Sequence, residues 1–136
     1  MANQHPDPPA AEGVVTKPSP RSVQETVARL LALAADKGLT VFAVIDHSGA
    51  AEAVGLQLRE TKVVIFGSPL AGTPVMVAAP LAALDLPLKA LVWDDEGQTR
   101  VSYTAPAALA SRYGLNDDLA ARLAGIEPIS DAAVAR

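Results

Sequence analysis

Val23, Val27, Leu30, Leu31 and Ala34 recur at the spacing of one helical face. Ser22 and Glu25 stand ahead of them as a capping box, each able to satisfy an amide of the other. Glu25 and Arg29 are spaced for an ion pair one turn apart. The pattern predicts a helix from Val23 that stops at Gly38. Residues 39–46 and 61–66 are short runs of β-branched and apolar residues and read as strands. Between them, 48–54 reads as a short helix opened by Ser48 and closed by Gly55. Ser68-Pro69 and Thr73-Pro74 each pair a capping residue with a proline suited to a first helical position. A helix therefore reaches Ala79 from one of these starts, and 81–85 adds a turn. Residues 87–93 and 99–104 are strands joined through Asp94-Asp-Glu-Gly97, too short a link for a crossover, so they are antiparallel. Residues 107–113 form a helix ending at Gly114. Asn116 caps a last helix on which Leu119, Leu123 and Ile126 share a face. A first strand covers 13–17 and is stopped by Pro18 and Pro20.

This order predicts a two-layer α/β (α+β) sandwich, with a mixed or antiparallel sheet and helices packed on one face. Residues 1–12 are polar and Pro-rich and read as a disordered tail. Residues 13–130 form the single domain, and 131–136 fray. In Val41-Phe42-Ala43-Val44-Ile45 and in Val63-Val64-Ile65-Phe66 both alternating sets are apolar. A strand with one wet face would alternate. Both faces of these strands are expected to be covered, and the chain is short of helix for the second. A partner subunit is therefore expected, most simply a homodimer.

Half of the 136 residues are hydrophobic but only 4% are aromatic, so aliphatic residues build the core and few rings are available for stacking a base or flavin. The net charge is −4 and the basic residues are not clustered, which argues against nucleic acid. The absence of cysteine removes disulfides, thiol nucleophiles and cysteine metal sites. No stretch is long and apolar enough for a membrane span, and the N-terminus lacks the pattern of a signal peptide. The expectation is a cytoplasmic domain with no membrane partner, no cofactor and no metal.

Asp46-His47 closes a strand, and the imidazole of His47 is suited to act as base or ligand. Its structural reading is a polar pair capping the strand and the next helix. Asp85 sits in an apolar run, where a buried carboxylate needs donors. Gly67 to Thr73 has the glycine spacing of a phosphate loop but lacks its lysine, and Pro74 removes an amide. Ser68 and Thr73 at a helix start retain the means to hold a carboxylate or phosphate. Asp94, Asp95 and Glu96 read as a solvated turn. Lys62 and Lys89 read as snorkelling strand residues, and Trp93 and Tyr103 as a cross-strand pair. No nucleophile elbow, zinc-protease motif or dinucleotide fingerprint is present, so catalytic residues are unknown.

Ile45-Asp46-His47, Gly55-Leu-Gln-Leu58, Ile65-Phe66-Gly67-Ser-Pro69, Ala71-Gly72-Thr73-Pro74-Val-Met76 and Asp85-Leu-Pro-Leu-Lys89 form an ordered series. It resembles the bacterial and archaeal family known as domain of unknown function 302, over about Val23 to Tyr113. Ser68 stands where that family often has Asn, and Val75 where it often has Leu. The resemblance implies a compact two-layer α/β fold, dimeric in some members, and no established activity. It marks one candidate ligand region: Asp46, His47, Gly67, Ser68, Thr73 and Asp85. The leading expectation is a homodimeric, non-catalytic binding module for a small polar ligand or a partner protein. The alternatives are a small enzyme using His47 as general base with Asp46 or Asp85, and a purely structural assembly module.

Overall fold

The structure, a computed structural model, describes residues 7–136. Its centre is one antiparallel sheet in the order β1-β5-β4-β3-β2. The strands are β1 (Val14–Ser19), β2 (Thr40–Asp46), β3 (Thr61–Gly67), β4 (Leu88–Asp95) and β5 (Gln98–Thr104). The helices are α1 (Val23–Asp36), α2 (His47–Ala53), α3 (Pro69–Ala78), α4 (Pro106–Tyr113), α5 (Asp117–Ala121) and α6 (Ile126–Val134), with a 3-10 turn over Pro80–Leu84. The two-layer α/β architecture with an antiparallel sheet follows the pattern of the sequence.

The capping box forms as expected. The Glu25 amide donates to Ser22 Oγ at 3.0 Å, and the Ser22 amide donates to Glu25 Oε1 at 3.2 Å. α1 and α6 lie side by side on one face of the sheet. Their Val27, Leu30, Ile126 and Ile129 pack on Val64, Phe66, Ala90, Val92, Val101 and Tyr103. A second, smaller core of Val75, Ala82, Leu109 and Leu123 joins α3, the 3-10 turn, α4 and the residues after α5.

Several expectations change. β1 runs through Pro18 because it pairs only with β5, and an edge strand loses no ladder bond at an outward-facing N–H. The last helix is two, α5 and α6, because Leu123 enters the smaller core while Ile126 enters the larger. The end of the chain does not fray at residue 131. α6 runs to Val134 with Ala133 buried, Arg21 Nη1 donates to the Ala133 carbonyl at 2.9 Å, and Lys17 pairs with Asp131 at 2.7 Å. The expected disorder of 1–12 falls partly on residues 1–6, outside the described residues; residues 7–11 have no regular secondary structure.

The hairpin turns on Glu96-Gly97, where both residues have positive φ (50° and 93°). That is the conformation of the two-residue turn that matches strand twist. Trp93 and Tyr103 do not pair. Trp93 stands opposite Arg100, on the face away from the helices, while Tyr103 is buried on the helix side under Lys17 Nζ, 5.0 Å from the ring centre. The acidic turn is not wholly solvated either. Asp95 is buried and accepts from Arg100 Nε at 2.8 Å.

Both faces of β2 and β3 are not covered within the chain. Val64 and Phe66 lie in the core, but Val63 and Ile65 point to a face that no helix of the described residues covers. β2 is an edge strand with Val41, Phe42, Val44 and Ile45 all exposed.

Candidate functional site

The six candidate residues fall at opposite ends of the sheet. Thr40 pairs with Gly67 and Asp46 with Lys62, six residues further along β2. At a strand rise of about 3.3 Å per residue, this separates the two groups by about 20 Å. Asp46 and His47 therefore cannot share a ligand with Ser68 and Thr73.

At the first end, Asp46 is the N-cap of α2, a position the sequence suggested for Ser48. Its Oδ1 accepts from Ser48 Oγ at 2.7 Å and from the Gly49 amide at 2.9 Å. A Cβ on residue 49 would stand 2.6 Å from Asp46 Oδ2, so the cap requires glycine there. The Ser48 hydroxyl and then the Gly49 amide hold the Asp46 carboxyl below the usual aspartate range. His47 is the first residue of α2 and is exposed. Asp46 and Ser48 line a groove of about 740 Å³ with Glu52, Arg59, Glu60 and Lys62. It is the larger void, but it is shallow, and residues 52–60 are all exposed. Water competes there for every charge, so it is a weak recognition surface. His47 does not line it.

At the other end the chain forms an apolar pocket of about 310 Å³ that is open to solvent on one side. β3 delivers Gly67 and Ser68 to its floor. Ser68 caps α3, its Oγ accepting from the Ala71 amide at 3.3 Å. Ser68-Pro69 is thus the true helix start, and Pro74 lies inside α3. A proline there leaves the carbonyl four residues earlier without its helical donor. That carbonyl belongs to Leu70, and Arg122 Nη1 donates to it at 3.5 Å. The carbonyl that Pro74 releases is thereby taken up by Arg122, which also lines the cavity. Gly67, Ser68, Gly72 and Thr73 line it together with Phe42, Met76, Leu86, Pro87, Leu88 and Leu123. The Leu86–Pro87 bond is cis. Arg122 is the one charged side chain of the lining. The start of α3 offers little to an anion: Pro69 has no amide hydrogen and Ser68 already occupies that of Ala71.

Asp85 lies near this end but outside the cavity. Its carboxylate accepts from the Tyr113 hydroxyl in a short hydrogen bond and from Arg112 Nη1 at 2.9 Å. The Tyr113 bond and then Arg112 hold its carboxyl below the usual range, and the same bond to Asp85 pushes the Tyr113 hydroxyl up. Among the described residues no group of three or more His, Asp or Glu stands together to hold a metal ion.

Gly67, Ser68 and Thr73 are thus brought together, whereas Asp46, His47 and Asp85 stand apart. Phe42, Met76 and Arg122 escape a sequence reading that looks for titratable groups, because this cavity is made of aliphatic ones. The available signal is the density of Gly, Pro and small residues from 67 to 74 beside Met76 and Leu86-Pro-Leu.

A sequence model of the family described as domain of unknown function DUF302 matches residues 15–132. The chain is 41% identical over 123 residues to a protein of Brucella suis biovar 1 (strain 1330) named fluoride-specific ion channel FluC 1, covering 85% of this chain and 48% of that protein. It has the same identity to fluoride-specific ion channel FluC 2 of Brucella melitensis biotype 1, covering 46% of that protein. The chain spans about half the length of these relatives. The crystal structure of an uncharacterized conserved DUF302 protein from Bacillus stearothermophilus superposes with a TM-score of 0.76 at 21% identity, covering 91% of this chain and 97% of that one. No helix of the described residues is long and apolar enough to cross a membrane.

Proposed function

This chain belongs to the DUF302 family, and we propose that it is a homodimeric, non-catalytic binding module whose ligand site is the cavity at the start of α3. The apolar lining of this half-open pocket carries the reading. Its volume of about 310 Å³ is at the lower end of those that take small molecules. The lining fits an apolar body such as a short acyl chain or a ring. Arg122 at its edge fits one anionic group on that body. The small polar ligand expected from the sequence gives way to a mainly apolar one.

Binding rather than turnover is favoured because no general base lines the cavity. The enzyme alternative has no geometry behind it. His47 is exposed at the far end of β2, Asp46 is engaged as a helix cap, and Asp85 is engaged by Tyr113 and Arg112. The Brucella relatives are named fluoride-specific ion channels, and this chain matches about half the length of each. Helical conduction needs spanning segments. We assign that task to their unmatched half and an accessory, ligand-sensing task in the cytoplasm to the half resembling this chain.

A thermal-shift panel of octanoate, benzoate and related carboxylates tests the reading. A ligand at about 100 times its Kd adds about 2.7 kcal/mol, a rise of several degrees for a domain of this size. The expected rise is lost in Gly72→Leu, which fills the cavity, and kept in His47→Ala. A shift produced only by metals or polar metabolites and lost in His47→Ala would overturn the assignment.

A further inference from the structure

We infer that the helix-free face of the sheet is the contact surface for a second copy of this chain, packed sheet against sheet about a two-fold axis. This rests on the homodimer proposed above and assigns its surface. The face carries Ile45, Val63, Ile65, Leu91 and Trp93 across β2, β3 and β4. None of them belongs to either hydrophobic core, and Ile45 is 39% exposed. A sheet face left to water alternates to polar residues at these positions, and this one does not.

The buried polar groups of the face already have partners, Asp95 accepting from Arg100 Nε at 2.8 Å, while Lys89 stays exposed. Ser102 Oγ accepts from Trp93 Nε1 at 3.0 Å and shares a 2.8 Å hydrogen bond with Thr16 Oγ1. Among the described residues no buried side-chain nitrogen or oxygen lacks a partner. The face can therefore be dried without orphaning these donors, the condition a buried interface must meet. A shallow groove of about 260 Å³ runs over it between Val14, Val63 and Leu91, giving relief for side chains to interdigitate.

Its size fits a small dimer contact. Five strands about 4.8 Å apart and about six residues long make a rectangle of roughly 24 by 20 Å, about 480 Å² per partner in projection. Two copies would bury about twice that, the range of the smaller specific interfaces. Among the described residues nothing else is placed to cover it. α1 and α6 lie on the other face, and α3 to α5 form the smaller core. Lys89 is its one exposed cation and the chain's net charge is −4, so neither an anionic membrane nor nucleic acid is favoured. An identical copy brings an identical apolar sheet, and two-fold pairing is the commonest closed arrangement.

Light scattering and sedimentation of the purified chain test this. The expected particle has twice the 14.0 kDa chain mass. Ile65→Lys should halve it, with the circular dichroism of the fold retained. Leu81→Asp, at an exposed site away from this face, should leave it unchanged. The chain has no cysteine, so Ile45→Cys supplies a unique thiol should Ile65→Lys fail to fold. The thiol should react with a maleimide at least tenfold more slowly in the dimer than after dilution to the monomer. A monomeric wild-type chain would remove the homodimer itself. A dimer that survives Ile65→Lys, that Leu81→Asp dissociates, or in which the introduced thiol labels freely would leave the homodimer standing and remove this face from it.

Discussion

The two ends of the sheet are built on opposite terms. At the Asp46 end, charge is abundant and already committed. Asp46 holds the start of α2, and Asp95 is buried against Arg100 with Arg59 3.6 Å away. At the Gly67 end, charge is nearly absent: apolar side chains surround a void, with one arginine at the rim. The contrast teaches that polar residues at a strand end are poor guides to a site when each already has an intramolecular partner. A carboxylate that caps a helix has one oxygen committed to that helix, whereas an apolar void in a close-packed protein has partners still to gain.

The largest expected effect tests whether charge at the Asp46 end is structural. Asp95→Ala removes the buried carboxylate that accepts from Arg100 Nε at 2.8 Å, and losing a charge-assisted hydrogen bond of this kind costs about 1.5–3 kcal/mol. Denaturant unfolding should show the loss directly. At the other end, Gly72→Leu should cut affinity for a cavity ligand at least tenfold by calorimetric titration, without lowering the melting temperature. A Cβ at residue 72 meets only Met76 Cε at 3.9 Å, and glycine inside a helix is itself unfavourable by about 0.5–1 kcal/mol.

A smaller effect lies in acid. Asp85 is held below its ordinary value by Tyr113 and then Arg112, so the folded state binds this proton less readily than the unfolded one. The stabilisation is present above the unfolded value, about 3.9, and is lost as pH falls through the lower folded value. Tyr113→Phe should flatten that acid limb in melting curves taken from pH 5 to 2. The smallest effect is expected for His47→Ala. The side chain is exposed and lines neither void, so stability should stay within about 0.5 kcal/mol and ligand affinity should not change.

Local signals in the sequence are reliable where a single residue decides a single bond. The capping box of Ser22 and Glu25, the cap by Asn116 on the Leu119 amide at 2.9 Å, and the hairpin all form. Relations between distant segments are harder to read. The separation of Asp46 from Gly67 depends on how β2 registers on β3, which includes an irregularity between Val41 and Ala43. The placement of Trp93 and Tyr103 is decided by register in the same way. With Leu91 opposite Ser102, odd-numbered residues of β4 face even-numbered residues of β5, so 93 and 103 lie on opposite faces and the expected pair cannot form. Arg122 cannot be connected to the cavity at all without the fold, because its partner is the carbonyl released by Pro74, some fifty residues away.

The most direct test of the central claim uses the scarcity of two residue types. The chain has two methionines, Met1 and Met76, and two histidines, His5 and His47. Methyl-labelled methionine and imidazole NMR signals can therefore be followed in one titration with octanoate or benzoate. The expected result is a saturable shift of the Met76 methyl with the His47 ring signals unmoved. Movement of His47 with Met76 silent would contradict it, as would a Met76 signal that no apolar carboxylate displaces.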